Sequence, residues 1–254
     1  MKDFLLNQSL AVRTNILPEV QVHISSITPT YDSVMHYKTN IIDWLKPIVD
    51  LTNFNVYPMN GITEGLNWWS GTSKYNIWRE PGEYQWIDNI NGRMHPTIIY
   101  QSIPSAIDGN FKTVKTDSPV ALDLAYVGST RIQKIALPDN VQYVFYSLSK
   151  SFGISNIRTG WFFCRTPDEK QEALIHSAKY YNYFAHQVAE SIISKFDIDF
   201  VYKSLYNKQR KVCEEMNFIP SDSVWLATTK NSDYSKFRRK DDIARICLAG
   251  VYKC

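Results

Sequence analysis

The sequence contains no run of apolar residues that reaches the roughly 18 positions needed for a membrane-spanning helix. Its first stretch, MKDFLLNQSLAVRTN, is interrupted by polar or charged residues at Asp3, Asn7, Gln8 and Arg13, so it lacks the continuous apolar core of a signal peptide. The sequence as a whole contains neither an internal repeat nor a low-complexity block. We therefore expect no membrane partner.

Cysteine and histidine are both scarce and widely spaced. The four cysteines form no CxxC pair, and the five histidines form no HxH or HxxxH pair. These spacings argue against a zinc site and against a dense disulfide scaffold, because both need closely grouped side chains. We expect no metal, and a reducing cytoplasm is the location that fits best. The residues concerned are Cys164, Cys213, Cys247, Cys254, His23, His36, His95, His176 and His186.

The chain also has little excess charge. Its formal net charge is +3 over 254 residues, with an isoelectric point near 8.5. This is far below the basic bias of proteins that neutralise many phosphates, so we expect no nucleic-acid partner. Two short basic runs, KQRK at 208–211 and RRK at 238–240, are interpreted as solvated faces. Hydrophobic residues, by contrast, make up 44%, which is enough for the core of one or two compact domains.

Hydrophobic periodicity predicts an alternation of strands and helices. Between Tyr31 and Leu51 apolar residues recur at a helical period, and FNVYPMNGITEGL indicates a strand, a glycine turn and a helix from about Ile62. Two long helical patterns follow between Asp168 and about Lys208, before a mixed tail that contains SVWLATT and ARICLAG. Further β-rich runs are NIWR, TIIYQS, PVALDLAYV, RIQKIAL, VQYVFYSLS and RTGWFFC.

This order of elements favours an α/β fold. We predict a three-layer αβα large domain with a mostly parallel sheet, and a reduced α+β small domain formed by both chain ends. The large domain is placed at residues 50–170, and the small domain at residues 1–49 and 171–254. Ligands of such sheets bind at the carboxyl ends of the strands, so polar residues at strand ends are the candidates for function.

The stretch YSLSKSFGISNIRTGWFF, residues 146–163, places a lysine where a strand gives way to a loop. Partial desolvation by neighbouring aromatic residues lowers the pKa of such an amine and leaves Lys150 a neutral nucleophile that can form imines. Arg158 follows eight residues later, and its planar fork suits a phosphate. Taken alone, two cations at this spacing are usually solvated surface charges.

The complete pattern S-x-S-K-x-x-G-x-x-x-x-R-x-G-W is more specific than its two cations. It resembles the fold-type I pyridoxal-phosphate (PLP) enzymes, and within them the class I/II aminotransferases and their alliinase-like relatives. The resemblance implies that Lys150 carries PLP as an internal aldimine, while Ser147 and Arg158 hold the phosphate. The residues of the pattern are Ser147, Ser149, Lys150, Gly153, Arg158, Gly160 and Trp161.

A buried acid is the second requirement of this resemblance. Asp123 lies inside the apolar run PVALDLAYV, where an unpaired charge is costly, and a protonated pyridine nitrogen would resolve that cost. The resemblance gives Tyr126, three residues later, a hydrogen bond to the ring oxygen of the cofactor. A capping aspartate and a core tyrosine are the alternative interpretation of the same two residues.

Two upstream stretches extend the comparison. The turn NGITEGL resembles the glycine turn of the family, whose helix start would present the N–H groups of Ile62 and Thr63, and the Thr63 hydroxyl, to the phosphate. EPGEYQW lies where the family has an aromatic residue stacked on the pyridine ring, and we choose Tyr84 ahead of Trp86. Simple structural roles, a turn and a core aromatic, remain open for both stretches.

The C-terminal run ARICLAG resembles the segment that carries the arginine for the substrate carboxylate, which assigns that role to Arg245. A strand-edge arginine that faces water is the alternative. The chain departs from the family in SIPSAIDG, where Ala106 replaces an asparagine that contacts the ring oxygen. Tyr126 would then make this contact alone, unless Ser105 or Asn110 substitutes.

We therefore predict an aminotransferase that uses amino-acid and keto-acid substrates and assembles as a homodimer, as its relatives do. Lys150, Asp123 and Tyr126 are the predicted catalytic residues. The missing asparagine keeps a PLP-dependent lyase, replacement enzyme or decarboxylase open as an alternative. A catalytically inactive binding protein of the same fold is the third possibility.

Overall fold

The structure is a computed structural model that describes residue 12 and residues 14–28, 37–87 and 96–253. Its larger sheet has six strands in the order β1-β6-β5-β4-β3-β2. Only β6 runs antiparallel to its neighbours among these strands, so the prediction of an α/β fold with a mostly parallel sheet is confirmed. The strands are β1 Asn55–Met59, β2 Asn76–Arg79, β3 Thr97–Ser102, β4 Val120–Asp123, β5 Val141–Tyr146 and β6 Gly160–Cys164.

Seven α-helical segments accompany the sheets in the described residues. They are α1 Pro18–Ser25, α2 Tyr37–Leu45, α3 Ile62–Thr72, α4 Leu148–Ser151, α5 Glu169–Glu172, α6 Tyr183–Lys195 and α7 Phe200–Met216. Local chemistry explains where several of them begin or end. Asp168 caps α5 by accepting hydrogen bonds from the N–H groups of Lys170 and Gln171, both at 3.1 Å. α7 ends at Asn217, which adopts a left-handed conformation with φ of 55°.

The larger sheet is buried on both faces by aromatic side chains. On one face, Trp69 of α3 packs against Tyr143 and Phe145 of β5, with ring centroids 5.5 and 5.6 Å apart. Tyr146 of the same strand points to the opposite face, where it packs against Trp44 of α2 at 6.0 Å. Helices therefore cover both sides of the sheet, as a central, mostly parallel sheet requires.

A second sheet lies in the C-terminal part of the chain. Its four strands are antiparallel throughout, in the order β7-β8-β10-β9. Gln209 of α7 fastens this sheet to the helix, because its side-chain amide donates hydrogen bonds of 2.8 to 3.0 Å to three backbone carbonyls at residues 221–226. The strands are β7 Ile219–Pro220, β8 Leu226–Thr229, β9 Arg238–Lys240 and β10 Ile243–Cys247.

Some expected elements differ from the structure. The helix predicted over 31–51 covers Tyr37–Leu45, and residues 31–36 lie outside the described residues. RIQKIAL is not a strand: the N–H of Ile135 donates to the carbonyl of Ile48 at 2.7 Å, and its buried side chain anchors an irregular segment. The two helical patterns predicted after Asp168 form α5 with a following π-helical turn, then α6 and α7. The boundaries of the two domains stay a prediction.

The expectations drawn from scarce residues can be compared with the described part of the chain. Cys164, Cys213 and Cys247 are buried, whereas Cys254 lies outside the described residues. No helix among the described residues has the length and apolar character needed to cross a membrane. The same residues contain no group of three or more side chains arranged to bind a metal ion.

Replacing Trp69 by alanine (W69A) should lower the free energy of unfolding by about 3–5 kcal/mol, because its side chain is only 2% exposed. Urea denaturation followed by circular dichroism measures the loss. The matched control is W78A, since Trp78 is 50% exposed and its removal should change stability by less than about 0.5 kcal/mol. Equal losses in the two variants would contradict this account of the core.

Candidate active site

A cavity of about 420 Å³ opens at the carboxyl ends of the parallel strands. The strand register explains its position: Ser102 of β3 lies opposite Asp123 of β4, which lies opposite Phe145 of β5, so these strand ends are level with one another. The second sheet and a segment at the N-terminal end of the chain complete its walls. All nine residues proposed from the sequence for cofactor or substrate line this cavity.

One end of the cavity is built from the start of α3. Ile62 and Thr63 line it, and the first N–H groups of an α-helix have no carbonyl partner inside the helix, so they attract an anion. The preceding Gly61 has φ of 85°, and a Cβ there would lie 2.6 Å from Nη2 of Arg158. Glycine is therefore required for the guanidinium to lie across the turn.

Arg158 and Ser147 complete this anion-binding end. Arg158 is exposed, and its two terminal nitrogens donate to the carbonyls of Asn60 and Ser155 at 2.9 and 3.1 Å, which fixes the guanidinium at the cavity. Ser147 is buried and caps α4, because its Oγ accepts a hydrogen bond from the N–H of Ser149 at 3.2 Å. The predicted phosphate residues thus meet at one place.

Lys150 lies in α4, directly after β5, and lines the cavity. Burial lowers the pKa of its amine, and the positive charges of Arg245 and Arg158 act in the same direction, against the opposing effects of Cys247 and Asp123. Its Nζ donates a hydrogen bond to the carbonyl of Val12. A lowered pKa increases the neutral fraction of the amine, which is the nucleophilic form.

Asp123 ends β4 and is only 4% exposed. Burial raises the pKa of its carboxyl to about 6, although hydrogen bonds from the Tyr100 hydroxyl and the Ala125 N–H, and the charge of Lys150, lower it. The Ala125 bond measures 2.7 Å, and Tyr100 donates to the other carboxylate oxygen. A carboxylate in this setting is ready to receive a cationic ring nitrogen, because its ionised form still needs a positive partner.

Tyr126 and Tyr84 are the aromatic residues that reach the cavity. Tyr126 is 6% exposed, and burial raises the pKa of its phenol while the nearby Arg245 guanidinium lowers it. Tyr84 is 39% exposed and lines the cavity. Trp86, the second choice for the stacked aromatic, is not among the lining residues; its indole N–H donates to Oδ1 of Asn67 at 2.8 Å. The structure therefore favours Tyr84.

Arg245 lines the cavity from the second sheet. It belongs to β10 and is only 4% exposed, so the alternative of a strand-edge arginine facing water is wrong. Its Nη1 donates to the carbonyl of Ala106. A buried guanidinium that faces a cavity is suited to bind a carboxylate with two parallel hydrogen bonds.

Sequence reasoning missed Glu83 and Ser102. Glu83 is 3% exposed and lines the cavity, and the Ser102 hydroxyl donates to its Oε2 at 2.5 Å. Ser102 Oγ also accepts from the N–H of Ala106 at 2.6 Å. Burial raises the pKa of Glu83, and the charge of Asp123 adds to that increase against the Ser102 hydrogen bond. No sequence pattern marks these residues, because their association depends on the meeting of a loop with the end of β3.

The expected substitutes for the missing asparagine are not at the cavity. Ser105 Oγ accepts from the N–H of Ile107 at 3.2 Å, and Asn110 Oδ1 accepts from the N–H of Asp222 at 2.9 Å. Neither residue lines the cavity, whereas Ala106 does. Ser105 therefore stabilises its own loop and Asn110 joins that loop to Asp222, so the structure does not support the suggestion that either residue substitutes for the asparagine.

The N-terminal segment supplies another wall that the sequence did not indicate. Val12 and Thr14 line the cavity, and the Thr14 hydroxyl donates to the carbonyl of Ser149 at 3.2 Å. The side-chain amide of Asn15 donates to the carbonyl of Ala249 at 2.5 Å. This segment therefore crosses from α4 to the end of the chain and limits access of water to Lys150.

One interpretation of the charge pattern is wrong. Arg239, in the basic run 238–240, lines the cavity and is only partly exposed, so it is not part of a fully solvated face. Burial lowers the pKa of its guanidinium to about 10, with a further decrease from the charge of Arg245. Its neighbour Arg238 is exposed, so the solvated-face interpretation holds for that residue.

Several solved protein structures have a fold similar to that of this chain. The C-S lyase of Staphylococcus hominis, solved with PLP bound, superposes with a TM-score of 0.68 at 12% identity, covering 95% of this chain and 89% of that chain. The histidinol-phosphate aminotransferase of Sinorhizobium meliloti gives a TM-score of 0.64 at 12% identity, covering 93% and 84%. This chain has the fold of PLP-dependent aminotransferases and lyases.

A third neighbour broadens the chemistry found on this fold. The L-threonine-O-3-phosphate decarboxylase of Porphyromonas gingivalis gives a TM-score of 0.62 at 14% identity, covering 92% of this chain and 93% of that chain. No family model and no curated protein sequence matches the chain. At such identities the likeness establishes the fold, and residues must carry any argument about activity.

Replacing Asp123 by asparagine (D123N) should stabilise the protein prepared without ligand at about pH 8, and the gain should vanish as the pH falls towards about 4. The physical reason is that the folded-state pKa, about 6, lies above the ordinary value of 3.8, so the folded carboxyl binds its proton first and the cost of burying the charge is present only at higher pH. Urea midpoints measured across this range test it.

The control is D117N, because Asp117 is exposed and its replacement should change the urea midpoint only slightly. If D123N still raised the urea midpoint by the same amount at low pH, the substitution would act through packing instead of charge.

Proposed function

We propose that the chain is a PLP-dependent enzyme that acts on amino acids, and specifically an aminotransferase. The observation that carries the proposal is the meeting of Lys150, Asp123 and Arg158, which belong to different parts of the chain, around one cavity at the strand ends. An amine of lowered pKa, a buried carboxylate and an anion-binding helix start form a set that suits an aromatic aldehyde with a ring nitrogen and a phosphate.

The residues present fit this cofactor. Ser149 Oγ is buried at the cavity and has no hydrogen-bond partner among the described residues, so a polar ligand group would satisfy it. A side chain at Gly61 would fill the space beside Arg158. The unfavourable burial of ionised Asp123 would be offset by a protonated ring nitrogen.

Each end of PLP has candidate partners. Ile62 and Thr63 at the start of α3, together with Ser147 and Arg158, would hold the phosphate. Asp123 would hold the ring nitrogen and Tyr126 the ring oxygen, with Tyr84 against the ring face and Lys150 attached covalently. When bound, PLP supplies an electron sink that stabilises negative charge at the α-carbon of an amino acid. With PLP held by these residues, the substrate would occupy the part of the cavity that Arg245 lines.

The chain's own residues would then divide the work of transamination. Arg245 binds the α-carboxylate and orients the substrate above the cofactor. Lys150 would take up the α-proton as general base at its Nζ, because burial lowers the pKa of this amine and so increases its neutral fraction. The N-terminal segment at Val12 and Thr14 limits the entry of water, which protects a proton transfer from competing hydrolysis.

A second candidate is a PLP-dependent lyase or decarboxylase. Ala106 lines the cavity where the family has an asparagine, so one hydrogen bond to the ring oxygen is missing and the electronic tuning differs. The structural neighbours include a C-S lyase and a decarboxylase as well as aminotransferases. The same cofactor chemistry supports all of these outcomes, so the reaction type must be measured.

The homodimer and the cytoplasmic location stay predictions. Exposed aromatic side chains at Tyr180, Phe184 and Trp86 are the kind of residue that dimer interfaces bury. Light scattering of the purified protein would check the dimer, since a monomer mass at every concentration would contradict it.

Lys150→Ala (K150A) should abolish covalent uptake of PLP, because no other amine among the described lining residues replaces it. We expect wild type to acquire a visible absorption band that survives dialysis, and K150A to lose it. Borohydride reduction followed by peptide mass analysis should place the label on Lys150. K211A is the control, because Lys211 is exposed and distant in sequence. Wild-type protein that stays colourless would favour the inactive binding protein.

The reaction type should show itself in a two-step spectroscopic assay. For an aminotransferase, an amino acid alone should bleach the visible band in one turnover, and an added keto acid should restore it. A lyase should instead release ammonia continuously without a keto acid, and a decarboxylase should release carbon dioxide. Continuous turnover of an amino acid without an acceptor would therefore contradict transamination.

A further inference from the structure

Glu83 is a buried acid at the cavity that the proposed function leaves without a role. Its side chain is 3% exposed and lines the cavity beside Tyr84. No lysine or arginine among the described residues forms an ion pair with it. A carboxyl group that is buried without a cation is more stable when it is protonated, because its ionised form loses the stabilisation that water provides.

A second buried carboxyl group lies close to the first. The Ser102 hydroxyl donates to Oε2 of Glu83 at 2.5 Å, and Ser102 lies directly opposite Asp123 in the register of β3 and β4. Asp123 is 4% exposed and lines the same cavity. Ionising both of two carboxyl groups in one buried site is unfavourable, because the two negative charges repel each other. One of the two acids therefore keeps its proton.

The surroundings of the two acids decide which of them ionises first. Asp123 accepts two hydrogen bonds and lies within reach of the positive charge of Lys150, which all favour its ionised form. Burial raises the pKa of Glu83, the Ser102 hydroxyl lowers it, and the charge of Asp123 raises it further. Asp123 is therefore the acid that carries the charge, and Glu83 is the acid that stays neutral.

A neutral carboxyl group has a hydroxyl hydrogen to donate, which a carboxylate lacks. The Ser102 oxygen that donates to Glu83 also accepts from the N–H of Ala106 at 2.6 Å, so this hydroxyl bridges Glu83 and residue 106. Ala106 lines the cavity and has no polar group in its side chain. Glu83 is thus the nearby side chain that can offer a hydrogen bond to a ligand at this wall.

We propose that Glu83 is a second acid of the cofactor site, which stays protonated beside the ionised Asp123 and donates a hydrogen bond to the ring oxygen of bound PLP. The inference rests on the proposed function, which assigns PLP to this cavity. The two acids would recognise opposite features of one ring, since a carboxylate suits the protonated nitrogen and a neutral acid suits the oxygen. An ionised Glu83 would repel an oxygen that carries negative charge.

Two non-covalent probes test the hydrogen bond. The first, 4′-deoxypyridoxine 5′-phosphate, keeps the ring nitrogen, ring oxygen and phosphate of PLP but lacks its aldehyde. The second is the same molecule without the ring hydroxyl. Isothermal titration calorimetry gives the factor by which the hydroxyl increases affinity. Glu83→Leu (E83L) should reduce this factor about tenfold relative to wild type, the effect of one hydrogen bond to a charged group.

The variants E83Q and E80L are the controls. E83Q is neutral and its amide can still donate, so it should keep the factor within about twofold of wild type. E80L should behave as wild type, because Glu80 pairs with Lys240 and is not among the lining residues. An unchanged affinity of E83L for the probe without the hydroxyl shows that this variant is folded.

Several results of these titrations would overturn the proposal. They are a wild type that gains nothing from the ring hydroxyl, an E83L variant that retains the gain, and an E83Q or E80L variant that loses it as E83L does.

Infrared difference spectroscopy checks the protonation state of Glu83 without any ligand. A protonated carboxyl group absorbs at a higher frequency than a carboxylate. The spectrum of wild type minus that of E83Q at neutral pH should therefore contain the band of a neutral carboxyl group. A carboxylate band in its place would show that Glu83 is ionised and cannot donate.

Borohydride labelling of Lys150 separates failure of this inference from failure of the proposed function. Protein that takes up PLP on Lys150, with a hydroxyl factor that does not depend on Glu83, keeps the enzyme and rejects the donor. Protein that takes up no PLP and binds neither probe rejects the cofactor site and the donor together.

Discussion

The carboxylate of Asp123 lies at the end of a central strand, almost completely out of contact with water. Burial of this group explains why the surrounding polar groups are where they are. Tyr100 and the Ala125 N–H each donate to one of its oxygens, and Lys150 places a positive charge nearby. These contacts lower the free-energy cost of burying the Asp123 carboxylate. They do not remove it, since the pKa of this carboxyl remains raised. The site is therefore arranged around a charge that a cationic ligand would stabilise.

The groups of the cavity that can bind an anion come from two parts of the fold, the start of α3 and the second sheet. At one end, backbone N–H groups of α3 and the exposed Arg158 suit a phosphate, which tolerates partial solvation. Arg239 and Arg245 come from the second sheet, and Arg245 is buried while Arg239 is partly exposed. The charges of Arg158 and Arg245 both lower the pKa of Lys150, so this lysine lies within electrostatic reach of both parts of the cavity.

Features formed by residues close together in the sequence were predicted correctly, whereas features that depend on contacts between distant residues were not. The pattern around Lys150 is contiguous, so it indicated the fold and the stretches to compare next, and all nine residues proposed from these stretches line the cavity. Glu83 and Ser102 were missed because their hydrogen bond joins residues that are 19 apart in sequence. Arg239 was misread because a bulge, invisible in the run RRK, breaks the alternation on which the interpretation rested.

The sequence by itself determined the mostly parallel α/β architecture and identified Lys150 as the candidate nucleophile, because hydrophobic periodicity and a contiguous motif depend on neighbouring residues only. Only the tertiary structure decided which groups share the cavity with that lysine. The close approach of Gly82 to β9, the bond from Lys150 to the Val12 carbonyl and the bond from Arg245 to the Ala106 carbonyl all connect distant segments. Such contacts arise from the packing of two sheets and a crossing N-terminal segment, and no local pattern of residues encodes them.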